Sequence, residues 1–418
     1  MDGSLAAARR RKPLRRADIP AQARRASSTG AVLRAVLEHG PVARSTVARL
    51  TGLSPASVTG LCAELIAGGL LREAPEAAGP RGMGRPHIPV DIDTGRHLVA
   101  GAHVAVPHTT LALMDLRGRI VAQERLPRPE RGSTPAEDLA RLAGGLPRLL
   151  ARHGGGRTVR GLGLATGGWV DQGSGVIVEH PLLGWQDVPA RDLLGAATGL
   201  PVRVDGHSRA LIRAEQLFGE VRTRVSVVQL FIGNVVDAAF ATAGAVHQGP
   251  RFAAGTVAHL PVEQSNEPCA CGRSGCLEAT VSERTTVRRA VEQGIVAARA
   301  EGAAPAEGAA LADGPATIGA VLAAAEGGDV RALALFRERA RLVGRAAALL
   351  LDVLDPELLM VVEPGVSRLP ECLAELRAEV AARSRVCADP ERTVLPTSFP
   401  GSALATAGGA IALDALFS

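Results

Sequence analysis

Over roughly the first ninety positions the apolar residues repeat with a helical period three times and then with a strand-like period twice. From Ser28 onward Val32, Leu33, Val36 and Leu37 fall on one helical face, and Gly40-Pro41 marks a stop. A second, short helix is predicted at about residues 43–50, broken by Thr51-Gly52-Leu53, whose glycine suits a left-handed turn. Ser54 then caps a third helix with Pro55 in its first position, and Val58, Leu61, Leu65 and Ile66 form its inner face up to Gly68-Gly69. Helix, glycine turn and capped helix predict a helix-turn-helix, whose second member enters a DNA major groove. Residues 70–73 and 87–92 predict two strands around the loop 74–86, which makes a wing.

Farther along, the pattern changes to buried apolar runs at 98–114, 161–165, 201–204 and 225–231, each fit for a strand covered on both faces. Residues 333–354 form a long apolar helix. Strands and helices in this order predict an α/β body behind the small N-terminal module.

Charge adds a partner to this picture. The first 90 residues carry fourteen Lys and Arg against six Asp and Glu, a surplus of eight, so the whole chain's +5 leaves the remainder at −3. A cationic segment ahead of an acidic body fits a module that binds double-stranded DNA, with residues 1–27 as a basic flexible arm. The outward positions of the third helix, Ala56, Ser57, Thr59 and Gly60, are small and lack the bidentate arginine or asparagine that reads guanine or adenine strongly. Specificity is therefore expected partly from the wing tip, Arg81-Gly82-Met83-Gly84-Arg85-Pro86, where an extended arginine suits a narrow, A·T-rich minor groove. The residues predicted to meet DNA are Arg44, Ser45, Thr46, Ser54, Ser57 and Thr59 in the helices, and Arg81 and Arg85 in the wing.

No run of about 18 uncharged apolar residues occurs, and no apolar segment follows the N-terminal arginines, which predicts a cytoplasmic, nucleoid-associated protein that meets no membrane. Three of the six cysteines crowd into Cys269-Ala270-Cys271-Gly272-Arg273-Ser274-Gly275-Cys276, with His259 ten residues upstream. One imidazole and three thiolates form a closed tetrahedral set, which suits structural Zn2+ and leaves no open position for an activated water. Cys62, Cys372 and Cys387 are expected as ordinary small core side chains.

These segments resemble the regulators of the ROK family (repressors, open reading frames and kinases), which join a winged helix-turn-helix to a sugar-kinase-type domain. The resemblance rests on His259, the step to Cys269, and the run Cys-x-Cys-Gly-x-x-Gly-Cys-x-Glu that closes on Glu278. It also rests on Gly161-Leu162-Gly163-Leu164-Ala165-Thr166-Gly167-Gly168-Trp169-Val170-Asp171, Leu183-Gly184-Trp185, Leu354-Asp355-Pro356-Glu357 and Gly408-Gly409-Ala410. It implies a winged helix-turn-helix at 28–95 and a two-lobed, actin-like (ribonuclease H-like) body at 96–418. Lobe one would comprise about 96–205 plus the C-terminal helix, lobe two about 206–400, with a flexible Ala/Gly-rich insertion at about 297–315.

The departures from the family's kinases bear on mechanism. Where the resemblance implies a first phosphate loop Asp-x-Gly-Gly-Thr-Lys, this chain has His103, Val104, Ala105, Val106, Pro107 and His108. The second loop, Gly-Thr-Gly-x-Gly, is replaced by Gly233, Asn234, Val235, Val236 and Asp237, and the catalytic aspartate of Glu-Asn-Asp-Ala-Asn by His207 in Asp205-Gly206-His207-Ser208-Arg209. Phosphoryl transfer needs a glycine-lined phosphate cradle, a metal-binding carboxylate and a base, so no catalytic residue and no ATP are expected. Of the sugar contacts the resemblance implies, His259 and Glu278 remain while Gly206, His207 and Thr256 differ. A sugar or other small effector is expected to meet Asp205, His207, His259 and Glu278, if the body senses a ligand at all. The resemblance thus implies a repressor of carbohydrate-related genes, a homodimer or dimer of dimers on an inverted-repeat operator, with a retired kinase body. The alternatives are a sugar kinase carrying a DNA-binding module and a regulator gated by a protein partner.

Overall fold

The computed structural model describes residues 21–77, 88–106, 108–128, 133–220, 226–298 and 316–418. The chain divides into two compact units, Met1–Ile92 with Leu416–Ser418, and Asp93–Ala415.

In the first unit, α1 (Ala21–His39), α2 (Arg44–Thr51) and α3 (Pro55–Ala67) precede β1 (Leu71–Glu73), and β2 (Val90–Ile92) pairs antiparallel with β1, Leu71 opposite Ile92. The first helix begins seven residues before Ser28, because nothing between Pro20 and Ser28 breaks a run of good helix formers. Val32, Leu33, Val36, Val47, Val58, Leu61, Leu71, Val90 and Ile92 are buried and make one small core. Phe417 is fully buried, and its carbonyl accepts a bond from Arg34 Nε at 3.1 Å. The wing loop 78–87, with Arg81 and Arg85, lies outside the described residues.

The second unit opens with the meander β3 (His97–Val104), β4 (His108–Asp115) and β5 (Ile120–Pro127), then α4 (Pro135–His153) and β6 (Thr158–Thr166). A small antiparallel sheet follows, β7 (Trp169–Asp171), β8 (Val176–His180) and β9 (Trp185–Val188), then α5 (Ala190–Thr198), β10 (Val202–Gly206) and α6 (His207–Phe218). The first large sheet has the order β10-β6-β3-β4-β5, with β6 parallel to both β3 and β10. The apolar run 98–114 is thus two strands, because the chain reverses between Val104 and His108. Leu98, Leu111, Leu113, Leu139, Leu142 and Leu146 pack α4 against this sheet.

A second sheet carries β11 (Val227–Ile232), β12 (Val236–Thr242) and β13 (Ala245–Val246). After α7 (Leu277–Val281), α8 (Glu283–Glu292), α9 (Ile318–Glu326) and α10 (Val330–Leu354) come β14 (Leu358–Val362), α11 (Pro364–Arg368), α12 (Pro370–Arg383), α13 (Pro390–Thr393) and β15 (Val394–Pro396). The order is β13-β12-β11-β14-β15, and Val228, Leu230, Phe336, Val343, Leu359 and Leu376 lie in its core. The final helix, α14 (Ala403–Leu416), returns to the first sheet. A methyl group on Gly101 would sit 2.3 Å from Gly409 N, and one on Gly163 would sit 2.1 Å from Gly408 O. Helix and sheet backbones therefore touch only because both partners lack side chains. Two sheets of this topology, each with its own helices, form a mixed α/β body in which β10, α6 and the β11–β12 turn converge on one cleft. The proposed insertion falls almost wholly on 299–315, outside the described residues.

Candidate functional sites: a helix pair, a metal loop and an interlobe cleft

The chain turns by 115° between α2 and α3, and Gly52 makes the corner with φ 69°. Ser54 Oγ accepts from Ser57 N at 3.1 Å, and Pro55 occupies the first helical position, so α3 starts where the sequence predicts. Val58 points into the core, while Ala56, Ser57, Thr59 and Gly60 are exposed in a row on the first turns. Ser57 Oγ sits 2.8 Å from Ser54 Oγ, and Thr59 Oγ1 donates to Pro55 O at 2.8 Å. Arg44, predicted to meet DNA, is half-buried and ion-paired with Glu73 at 2.9 Å, which ties α2 to β1. Ser45 is exposed and Thr46 half-buried. Sequence reasoning passed over Arg49, exposed on the same helix; a charged residue at the outward position of a short amphipathic helix was the available signal.

The four residues predicted to bind metal come together. His259 Nδ1 lies 3.6 Å from Cys269 Sγ, Cys271 Sγ lies 3.7 Å from Cys276 Sγ, and all four ligand atoms fall within 4.8 Å of one another. Tetrahedral zinc with Zn–S of about 2.3 Å and Zn–N of about 2.0 Å requires ligand–ligand edges of roughly 3.5 to 3.8 Å, a range into which these two distances fall. Gly275 makes this possible at φ 74°, and a methyl group there would sit 2.4 Å from Ser265 O. Hydrogen bonds from Arg273 pull the Cys271 thiol down to about 6, toward the thiolate a metal needs. Of the remaining cysteines Cys62 and Cys372 are buried and Cys387 half-buried.

The cleft gathers the substituted kinase positions into one cluster. His103, at the end of β3, and His207, at the start of α6, place Nε2 and Nδ1 3.1 Å apart; one nitrogen donates and the other accepts. The two rings stack with centroids 5.4 Å apart, and Phe231 closes the far face of His207 at 3.9 Å. On its other side His207 Nε2 lies 2.9 Å from Asp237 Oδ2, within ion-pair range though out of line for a hydrogen bond, and Ser208 Oγ also bonds the Asp237 carboxylate. Burial holds His103 well below its usual range, with the charge of His207 adding to the effect, and burial holds His180 at about 4. Val235 occupies the turn of the second loop, its side chain 3.0 Å from where a methyl group on Gly167 would be.

The four predicted effector residues divide. Asp205 is fully buried and held by Arg209 Nε at 2.6 Å and by Arg213. Arg209 also bonds the carbonyls of Phe252 and Val170, which leaves only a nook of about 30 Å³ beside Gly206 and Ser208. His207 is packed inside as described. Glu278 and His259 instead line a cavity of about 270 Å³ next to the metal loop, with Trp169, Glu179, Asp237 and Thr256. Glu278 Oε2 accepts from Val236 N at 3.1 Å and its Oε1 from Arg284 at 3.3 Å, while burial pushes its pKa above the usual carboxylate range. Asp237, Arg209 and Arg213 are thus the site residues sequence reasoning missed. The available signal was the carboxylate of Asp237 in a position where the resemblance implies a glycine.

Among the described residues no single helix is long and apolar enough to cross a membrane. Residues 99–413 match the ROK family. Transcriptional regulator Rv0485 of Mycobacterium tuberculosis is 32% identical over 394 residues, covering 94% of this chain and 86% of that protein. A crystal structure of a ROK family transcriptional regulator, described as a homologue of the E. coli MLC protein, superposes with TM-score 0.73 at 23% identity over 94% of this chain and 96% of its own. A ROK family glucokinase from Streptomyces griseus, in complex with glucose and AMPPNP, gives TM-score 0.62 at 23% identity over 76% of this chain and 98% of its own. The body therefore has the mixed α/β fold shared by a regulator and a sugar kinase. With three quarters of its length matched and a named transcriptional regulator similar along nearly all of it, this chain belongs to the ROK family.

Proposed function

We propose that this chain is a DNA-binding transcriptional repressor whose ROK body has given up phosphoryl transfer. The observation that carries the reading is the exposed first half of α3, a capped helix set after a left-handed glycine corner with only small side chains outward. Such a helix fits a major groove closely, and β1 and β2 supply the base of a wing whose Arg81 and Arg85 would follow the minor groove. In this reading residues 1–27 are a basic arm, 28–95 the winged helix-turn-helix and 96–418 the body. The working form is a homodimer, or a dimer of dimers, on an inverted repeat, in the cytoplasm at the nucleoid.

The resident metal in this reading is Zn2+ held by His259, Cys269, Cys271 and Cys276. When bound, it cross-links the loop that carries one wall of the 270 Å³ cavity. Glu278, Asp237 and Glu179 provide acceptors in that cavity, which suits a sugar or another polyhydroxylated effector. The named regulators among the relatives support the repressor reading, and the family's carbohydrate-related repressors support sugar-linked genes as its targets.

The kinase alternative is disfavoured by the pairing of His207 with Asp237. Each stands where catalysis would need a carboxylate base or a bare phosphate loop, and each is engaged with the other. The test is fluorescence anisotropy on an operator fragment in a salt series, with ATP turnover measured on the same preparation. Thr59→Glu is expected to abolish binding, and wild type is expected to show a steep salt slope and no hexose-dependent turnover. Turnover with any hexose, or unchanged binding by Thr59→Glu, contradicts the reading.

A further inference from the structure

A second cavity of about 250 Å³ shares no lining residue with the cavity beside the metal loop. Phe231, Ile232, Leu322, Val362, Phe399 and Leu404 make its walls apolar. Its polar lining falls in two groups, His108, Thr110, Gln123 and Arg125 on β4 and β5, and Glu283, Glu363, Ser367, Arg368 and Thr397 on other elements. Thr110 and Arg125 are cross-strand partners and so share one face of the sheet.

The charges around this cavity do not cancel. Arg368 is paired with Glu326 at 2.7 Å, and Glu363 is paired with the buried Arg339 and caps α11. Glu283 meets Asn234 at 3.4 Å, and burial favours its neutral form. Arg125 is exposed and makes no hydrogen bond or ion pair among the described residues. Beside it, His108 Nδ1 is buried without a partner, and burial and the arginine's charge hold that imidazole at about 4, hence neutral. An apolar chamber with one free guanidinium and one unsatisfied neutral imidazole nitrogen at its rim is complementary to a single anionic group on a hydrophobic body.

We infer that this cavity binds a small monocarboxylic acid with an apolar tail, the carboxylate on Arg125 and the tail between Phe231, Leu322 and Leu404. Among the described residues one free cation at the rim matches one carboxylate, and with Arg368 and Glu363 already ion-paired the mostly apolar lining offers a polyphosphate or a sugar few further partners. The walls come from both large sheets and from the start of α14, so an occupant bridges the two lobes. The site is independent of the proposed effector cavity, and its occupancy needs neither DNA nor zinc to be read.

Titration calorimetry of the full-length protein with sodium octanoate tests this, with 1-octanol and ATP as comparison ligands. Octanoate is expected to bind with a sub-millimolar dissociation constant, and octanol, which has the tail but no charge, about tenfold more weakly. Arg125→Gln, at an exposed position that folding does not need, is expected to weaken octanoate about tenfold, while Arg125→Lys stays within roughly threefold of wild type. Absence of octanoate binding, equal affinity for octanol, an unchanged Arg125→Gln variant, or ATP binding more tightly than octanoate each overturns the assignment.

Discussion

His207 Nε2 stands 2.9 Å from Asp237 Oδ2, one residue at the head of α6 and the other on β12. Each is a departure from the sugar-kinase pattern, and together they fill the place where a sugar hydroxyl and a phosphate would approach one another. A substitution that merely lost catalysis would leave an open site. Here the new side chains stand within ion-pair range of each other, with His103 hydrogen-bonded to His207 and Ser208 on the same carboxylate.

Asp237→Ala removes the common partner of Ser208 and His207 and leaves two inward-facing polar groups to find water. The expected loss is about 1 to 3 kcal/mol of folding free energy, read as a lower urea midpoint with unchanged slope. A midpoint equal to that of wild type would show that the cluster contributes nothing to the fold.

Acid sensitivity follows from the buried imidazoles. Burial holds His180 and His108 at about 4 in the folded chain, whereas in the unfolded chain they titrate near 6.5. Between those values the unfolded state binds protons that the folded state refuses, so stability is complete above about pH 6.5 and falls as pH drops toward 4. His180 alone accounts for about 3 kcal/mol over that window. Urea midpoints at pH 7.5 and 4.5 check this, and His180→Gln is expected to flatten the pH dependence. An identical pH slope in wild type and variant contradicts the assignment of the effect to His180.

The metal loop gives a sharper readout. Protein purified without added metal is expected to contain one zinc per chain by elemental analysis, Cys276→Ser to lose it, and Cys387→Ser, at a half-buried position elsewhere, to keep it. Chelation is expected to lower the thermal midpoint of wild type and leave that of Cys276→Ser unmoved. Equal zinc content in wild type and Cys276→Ser would rule out this donor set.

The parts of this molecule legible in the sequence are those set by local chemistry. Gly52, Ser54 and Pro55 fix the corner and the start of α3 within a few residues, and the crowding of His259, Cys269, Cys271 and Cys276 around Gly272 and Gly275 foretells that their four donor atoms meet. What stayed hidden depends on distant residues meeting. The reversal inside 98–114 has no Gly-Asn or Asp-Gly signal, so two antiparallel strands read as one apolar run. Arg44 looks like a free cation until Glu73 is seen beside it, and Asp205 looks like a cleft acceptor until Arg209 and Arg213 enclose it. The pairing of His207 with Asp237 spans thirty residues and joins the head of α6 to β12, beyond the reach of any periodicity.

The most direct test of the central claim is selection of bound DNA from a random duplex pool by the full-length protein, compared with the double variant Ser57→Glu/Thr59→Glu. The account predicts enrichment of one inverted repeat by wild type, with half-sites about one helical turn apart or a multiple of that, and none by the variant. Failure of wild type to enrich any sequence, or enrichment of the same sequence by the variant, would contradict it.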